Sequence, residues 1–292
     1  MEKLFQAVYS GILYGSIYGM MALGLTLIWG SLRMLNLAHG SLYLVGGYLA
    51  WTAINKAGMP MLLAFGVAVA GAALVGAVMQ LAVLNRILGK PGWANASLIA
   101  TVGVAIMLDS AVLLMYGARV KAMPVLIEGT FKVGTVLISY NALVIIGVAV
   151  MSLYLMSWFL RSSRSGLAIQ AVSQQADAAR LMGIPTRTVF LIVMAISAAL
   201  AGLAGGLLSS IFYLSPTAGF SPMLKALVVT IFGGLGSIKG TIWAAYIIGL
   251  LEAFLQVYFG SGAALPGLFL FMIVMLIIRP TGLFGLGEAQ RL

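Results

Sequence analysis

The sequence predicts an all-α polytopic membrane protein of about eight or nine transmembrane helices, including discontinuous or re-entrant segments. Three observations carry that prediction. Of the 292 residues, 62% are hydrophobic and 8% are charged, where a soluble domain carries roughly 25% charged residues. The apolar residues come in continuous runs of about 20, the length that crosses a hydrocarbon core as a helix. They do not alternate with polar residues over stretches of about ten, as barrel strands would. Backbone facing lipid must satisfy its own hydrogen bonds, so helices are the remaining solution.

In chain order the spans fall at roughly 7–29, 37–54, 60–84, 97–116, 139–160, 189–212, a short 223–235, 240–259 and 264–279. The first reads as a retained span, because its apolar stretch is too long for a cleavable signal and no Ala-x-Ala site closes it. Connections are mostly short, so the chain reads as one transmembrane domain, 1–292. Two connections are longer. Segment 117–138 holds Arg119, Lys121, Glu128 and Lys132 without the look of an organised element. Segment 161–188 reads RSSRSGLAIQAVSQQADAARLMGIPTRT and does have that look.

Basic residues set the orientation. Arg161, Arg164, Arg180 and Arg187 against Asp177 place 161–188 in the cytoplasm, with Arg33, Arg86 and Lys90 on the same side. The N-terminus and the 117–138 loop then lie outside. A full crossing by 223–235 puts Arg279 and Arg291 inside; a re-entrant half-span there puts the C-terminus outside. The net charge of +10 is the positive-inside bias. It is not a nucleic-acid footprint, because the basic residues are scattered at span ends with no aromatic-basic face. The absence of cysteine excludes disulfides, thiol chemistry and thiolate metal sites.

Two places interrupt apolar runs with glycine and polar residues: WGSLRMLNLAHGSLYLVGGY at 29–48 and FGGLGSIKGTIW at 232–243. Interrupted spans in corresponding positions of two halves point to a transport pathway, although plain turns at the membrane face have the same composition. The pathway candidates are Asn36, His39, Gly40 and Ser41 in the first, and Gly233, Gly234 and Ser237 in the second. His39 is the one histidine; it has no companions for a metal site or a catalytic triad, so it bridges helices or lines the pathway. Asp109 and Glu252 lie inside spans, where an ionisable side chain costs several kcal/mol and is a functional candidate by default. Neither span offers a basic partner. Small-xxx-small patterns at Gly11/Gly15/Gly19, Gly202/Gly206 and Ala64/Ala68/Ala72/Gly76 read as ordinary close helix packing.

Segment 161–188 predicts one helix over about 167–182, stopped by Gly183 and Pro185. Its apolar side is rich in alanine, which suits a protein groove better than lipid. The docking candidates are Ala171, Ala178, Ala179, Arg180, Gly183 and Ile184. The chain carries no G-x-x-x-x-G-K-[ST] motif, so it does not itself bind ATP through one.

The pieces YGMMALGLTLIWGSLRMLNLAHGSLYLVGGY, SGLAIQAVSQQADAARLMGIP, SAALAGLAGGLLS and ALVVTIFGGLGSIKGTIWAAYIIGLLEAF carry a resemblance over essentially the whole length. The chain resembles the inner-membrane permeases of branched-chain amino acid ABC importers, specifically the smaller of the two permeases. The resemblance implies a permease in the bacterial inner membrane that performs no chemistry and holds no cofactor. It implies two cytoplasmic ATPase subunits, a second homologous permease and an extracytoplasmic solute-binding protein as partners. It makes 161–188 the cytoplasmic coupling loop, although the helix lacks the opening Glu-Ala-Ala of many ABC permeases. Leucine, isoleucine and valine are the implied substrates; relatives take other amino acids, urea, short amides or aromatic acids. Two further readings stay open: an ion-coupled secondary transporter using Asp109 and Glu252, and an intramembrane enzyme using His39 with either acid, for which no nucleophile–base pair is evident.

Overall fold

The computed structural model describes residues 2–134 and 136–285; Arg291 lies outside the described residues. Helix α1 (Glu2–Leu32) leads into a non-helical stretch and then α2 (His39–Asn55). Next come α3 (Met61–Met79), a π turn at Gln80–Leu84, α4 (Asn85–Ile87) and α5 (Trp93–Tyr116). Strands β1 (Thr130–Val133) and β2 (Val136–Ser139) precede α6 (Tyr140–Ser162), α7 (Arg164–Gln174) and α8 (Ala176–Leu181). The chain closes with α9 (Thr186–Leu208), α10 (Phe220–Gly233), α11 (Ile238–Phe259) and α12 (Ala264–Ile278). Among the described residues, seven helical stretches are long and apolar enough to cross a membrane. The all-α class holds, and α2 and α10 are the discontinuous members.

Helix α1 is the axis of the bundle. Its apolar window is 89% buried, against 17% for α5 and 11% for the stretch ending in α12. The outer helices present Ile99, Ile106, Met107, Leu114, Leu270 and Ile277 outward, as surfaces facing lipid or another membrane protein do. The small-residue patterns fall on the tightest seams. Gly11 and Gly15 of α1 face Leu250, Ala245 and Tyr246 of α11, and Gly249 of α11 packs back on both glycines. Ala64, Ala68 and Ala72 of α3 are fully buried, the last two against Gly202 of α9, and Gly76 meets Met194 and Ala198. Small side chains let these backbones approach, which is how membrane helices associate without a hydrophobic drive between them.

Two sequence expectations are corrected. The 117–138 loop contains an antiparallel hairpin, with Thr130 opposite Ser139 and Phe131 opposite Ile138. Gly134, at φ 63°, supplies the positive φ that a tight hairpin turn needs. The loop is also anchored: Lys121 and Leu214 exchange both backbone hydrogen bonds, at 2.8 and 2.9 Å, and Trp51 Nε1 donates to Ala122 O at 3.0 Å. The expected single helix over 167–182 is two, α7 and α8, broken at Gln175 with extended backbone (φ −153°, ψ 108°). No glycine or proline marks that break. Helix α7 starts at Arg164, because Ser163 Oγ accepts from Gly166 N at 2.8 Å and caps it.

Candidate functional site

The first glycine-interrupted stretch is a break inside the bundle. Residues 33–38 leave the end of α1 without helical structure and turn back along it. His39 Nε2 donates to the carbonyl of Met21 at 3.0 Å, a level about 16 Å back from Leu32 at ~1.5 Å per residue. Helix α2 therefore begins at mid-depth. Asn36, His39, Gly40 and Ser41 are all buried. Asn36 Oδ1 accepts from Ala38 N at 3.0 Å, Thr101 Oγ1 accepts from Leu37 N at 3.2 Å, and Ser41 Oγ donates to Ala105 O at 3.3 Å. His39 thus bridges α1 and the start of α2. Its Nδ1 and the Nδ2 of Asn36 have no protein partner among the described residues.

The second stretch is built differently. Gly233, Gly234 and Ser237 form the tight connection from α10 to α11 at the end of the bundle where α1 finishes. Gly234 and Gly236 take φ 99° and 86°, the left-handed region that glycine adopts without strain. Ser237 Oγ caps α11 by accepting from Gly240 N at 3.2 Å, and Phe232 O accepts from Leu283 N at 2.8 Å. The mid-depth break of this half lies earlier, at 209–219, before α10. A methyl on Gly40 would stand 2.5 Å from the carbonyl oxygen of Gly219, so the first residues of α2 and α10 meet inside the bundle. The 14 residues of α10 span only about 21 Å, short of the ~30 Å hydrocarbon core. The Ser, Pro and Gly cluster in SSIFYLSPTAGFSP, 209–222, is the signal that sequence reasoning passed over.

The two intramembrane acids separate. Glu252 is fully buried and has the basic partner that its own span lacks: Lys225 Nζ of α10 stands 2.6 Å from Glu252 Oε1. The same ammonium donates to Tyr18 OH at 3.0 Å, and Gln256 Nε2 donates to Glu252 Oε1 at 2.9 Å. Two opposite charges on different spans were visible in the sequence; only the fold shows that they pair. Asp109 is half-exposed on α5 beside Ile106 and Met107, and makes no hydrogen bond or ion pair among the described residues. The structure does not bring it to Glu252 or His39.

Four of the six docking candidates share one cleft. A cleft of about 880 Å³ is lined by Ala171, Ala178, Ala179 and Ile184, together with Gly30 and Ser237. Ala179 is buried, Ala178 and Arg180 are exposed, and Gly183 ends α8 with φ 86°. Two contributors escaped the sequence reading. Arg33 Nη2 donates to Ser173 O at 2.9 Å, tying the first break to the last turn of α7. Leu181 and Met182 stand 89% and 83% exposed, and Met182 also lines the cleft.

Shortened helices whose first residues meet inside a bundle of membrane-length ones define the class: a multi-pass membrane protein of permease architecture. The family model described as "branched-chain amino acid transport system / permease component" matches residues 7–278. The "high-affinity branched-chain amino acid transport system permease protein BraD" of Pseudomonas aeruginosa is 31% identical, covering 98% of this chain and 97% of its own. LivH of Escherichia coli, of the same description, is also 31% identical with the same coverage. The solved structure "PsaBC from Streptococcus pneumoniae in complex with Fab" shares the fold, with TM-score 0.52 at 15% identity over 96% of this chain and 93% of that one. The chain belongs to the family of branched-chain amino acid transport system permease components.

Proposed function

We propose that this chain is the transmembrane permease subunit of an ATP-driven importer for branched-chain or related amino acids, in the inner membrane of a bacterium. It performs no bond chemistry. ATP is hydrolysed by two cytoplasmic ATPase subunits, a second homologous permease completes the pathway, and an extracytoplasmic binding protein delivers the solute. The observation that carries this reading is the cleft at the 161–188 end. Small residues line it, Leu181 and Met182 stand bare beside it, and the chain has no nucleotide motif of its own. An apolar rim around a concave, small-residue surface fits a helix or loop of a partner protein. The anchored 117–138 loop, at the opposite end, is the surface offered to the binding protein. Asn36, His39, Gly40 and Ser41 gate the pathway at mid-depth, while Gly233, Gly234 and Ser237 carry motion from the cleft into α10 and α11. The test is reconstitution with the partner subunits in liposomes. ATP-dependent uptake of labelled leucine, lost when Leu181 and Met182 are both changed to Asp, is the expected result. Uptake of urea or an amide instead of amino acids would keep the importer and move the substrate. Uptake driven by an ion gradient without ATP would overturn the reading.

A further inference from the structure

We infer that Lys225 is a contact for the carboxylate of the transported solute, held ready by Glu252; this rests on the amino acid reading above. The ion pair is asymmetric. Glu252 has no exposed side-chain surface, while the Lys225 side chain keeps 16% exposure. The acid is closed off, while the base keeps part of its side chain accessible. Lys225 Nζ has three donors. Two are taken, by Glu252 Oε1 at 2.6 Å and Tyr18 OH at 3.0 Å, and the third has no partner among the described residues. The geometry of the acid is fixed from behind: Gln256 Nε2 donates to the same Oε1 at 2.9 Å, and Tyr14 OH donates to Gln256 Oε1 at 3.3 Å. Glu252 and its neighbours therefore position the ammonium, and the free donor is what a ligand meets.

The location suits an anionic group. Lys225 lies in the second turn of α10, whose first residues meet the start of α2 inside the bundle. Ser221, four residues earlier on the same helical face, is exposed. The opening turn of a helix carries partial positive charge, and half-helices that begin at mid-depth present that end to anionic solute groups. When the site is empty, Glu252 neutralises Lys225, which keeps a lone charge out of the membrane interior. When a zwitterionic amino acid passes, its carboxylate takes the third N–H and the pair stays in place. The ligand class is a small solute bearing a carboxylate; urea and simple amides lack the group that Lys225 recognises.

The absence of cysteine makes a charge-rescue experiment clean in this chain. Lys225→Cys is combined with Glu252→Gln, so that the introduced thiol leaves no acid unpaired, and the complete importer is assembled in liposomes. Leucine uptake is expected to fall about tenfold or more, the worth of a charge-assisted hydrogen bond. Treatment with an ethylammonium thiosulfonate rebuilds a positive group of near-lysine length and is expected to restore at least half of the uptake. A neutral hydroxyethyl thiosulfonate is expected to restore none. A purely structural pair predicts instead that the two reagents act alike, because each refills the volume lost at residue 225 and only one restores the charge. Uptake within about twofold of wild type, equal rescue by the neutral reagent, or a thiol that neither reagent reaches would overturn the proposal while wild-type uptake upholds the importer. A wild-type assembly that moves no amino acid at all would overturn both.

Discussion

Glu252 shows how far single residues could be read. An acid inside an apolar run announces itself, because ionisable groups at membrane depth are costly. Its meaning depends on a partner 27 positions away on another helix, and no periodicity links α10 to α11 before they pack. Removing one member of such a pair strands the other. Lys225→Met is therefore expected to destabilise the protein by about 3–5 kcal/mol, seen as a lower melting temperature in detergent. Lys225→Met combined with Glu252→Leu should recover most of that loss, since a well-packed apolar pair of similar volume is often neutral. A single variant as stable as wild type would show that the carboxylate is already compensated elsewhere. His39 was legible in the same partial way. The sequence marked it as a helix bridge or a lining residue, and the bond to Met21 O supplies the bridge.

At the scale of elements, close packing was the most legible feature and backbone breaks the least. The small-residue stripes predicted seams, and the seams are where they lie. The tightest is α2 on α9, where any side chain at Gly205 would run into the carbonyl of Tyr43 and one at Gly46 would run into Gly202. Gly205→Leu is expected to force α2 away from α9 and to lower detergent stability or membrane yield severely, while Gly103→Leu should be harmless, because open space surrounds that position on α5. The split at Gln175 left no mark in the sequence, since it depends on tertiary contacts rather than on glycine or proline. One such contact is Arg33 on Ser173 O. A cation at the C-terminal turn of α7 is favoured by the helix dipole, and it joins the 161–188 loop to the stretch that leads to Asn36 and His39. Arg33→Gln should reduce solute moved per ATP hydrolysed, as expected for a link between the cleft and the break. Equal uptake per ATP in both proteins would remove Arg33 from the coupling route.

At the scale of the whole molecule, the class and the order of the spans followed from composition and hydropathy. The doubtful point was the 223–235 span, and the structure resolves it by combining the two alternatives. Helix α10 is too short to cross by itself, yet the non-helical 209–219 stretch covers the remaining depth, so the chain still changes sides. Leu283 and Phe284 return to the carbonyls of Phe232 and Gly233, at the end that holds the 161–188 loop. Helix count alone could not reveal this, because hydropathy does not see non-helical backbone buried among helices. A thiol introduced at Leu181 and one introduced at Phe284 should therefore react from the same face of oriented vesicles, and one at Val125 from the opposite face. Labelling of the Leu181 and Phe284 positions from opposite faces would overturn this path of the chain.

The arrangement of burial bears on assembly. The axis of the bundle is α1, closed in by α9, α10 and α11, and the cleft of about 880 Å³ opens at its end, between the 161–188 segment and the α10–α11 connection. A solute pathway the width of an amino acid does not run through so tightly packed an axis. It requires a second wall, and the faces left bare on the outer helices offer surface for one. In the function proposed above, that second wall is a homologous permease. The chain alone, reconstituted with ATPase, is therefore expected to move no leucine, and uptake should appear when the second permease and the binding protein are added together. In that proposal the two permeases are homologous, so a homodimer is the competing arrangement. ATP-dependent uptake by this chain with one type of ATPase and the binding protein, and without the second permease, would establish the homodimer and leave the importer assignment standing.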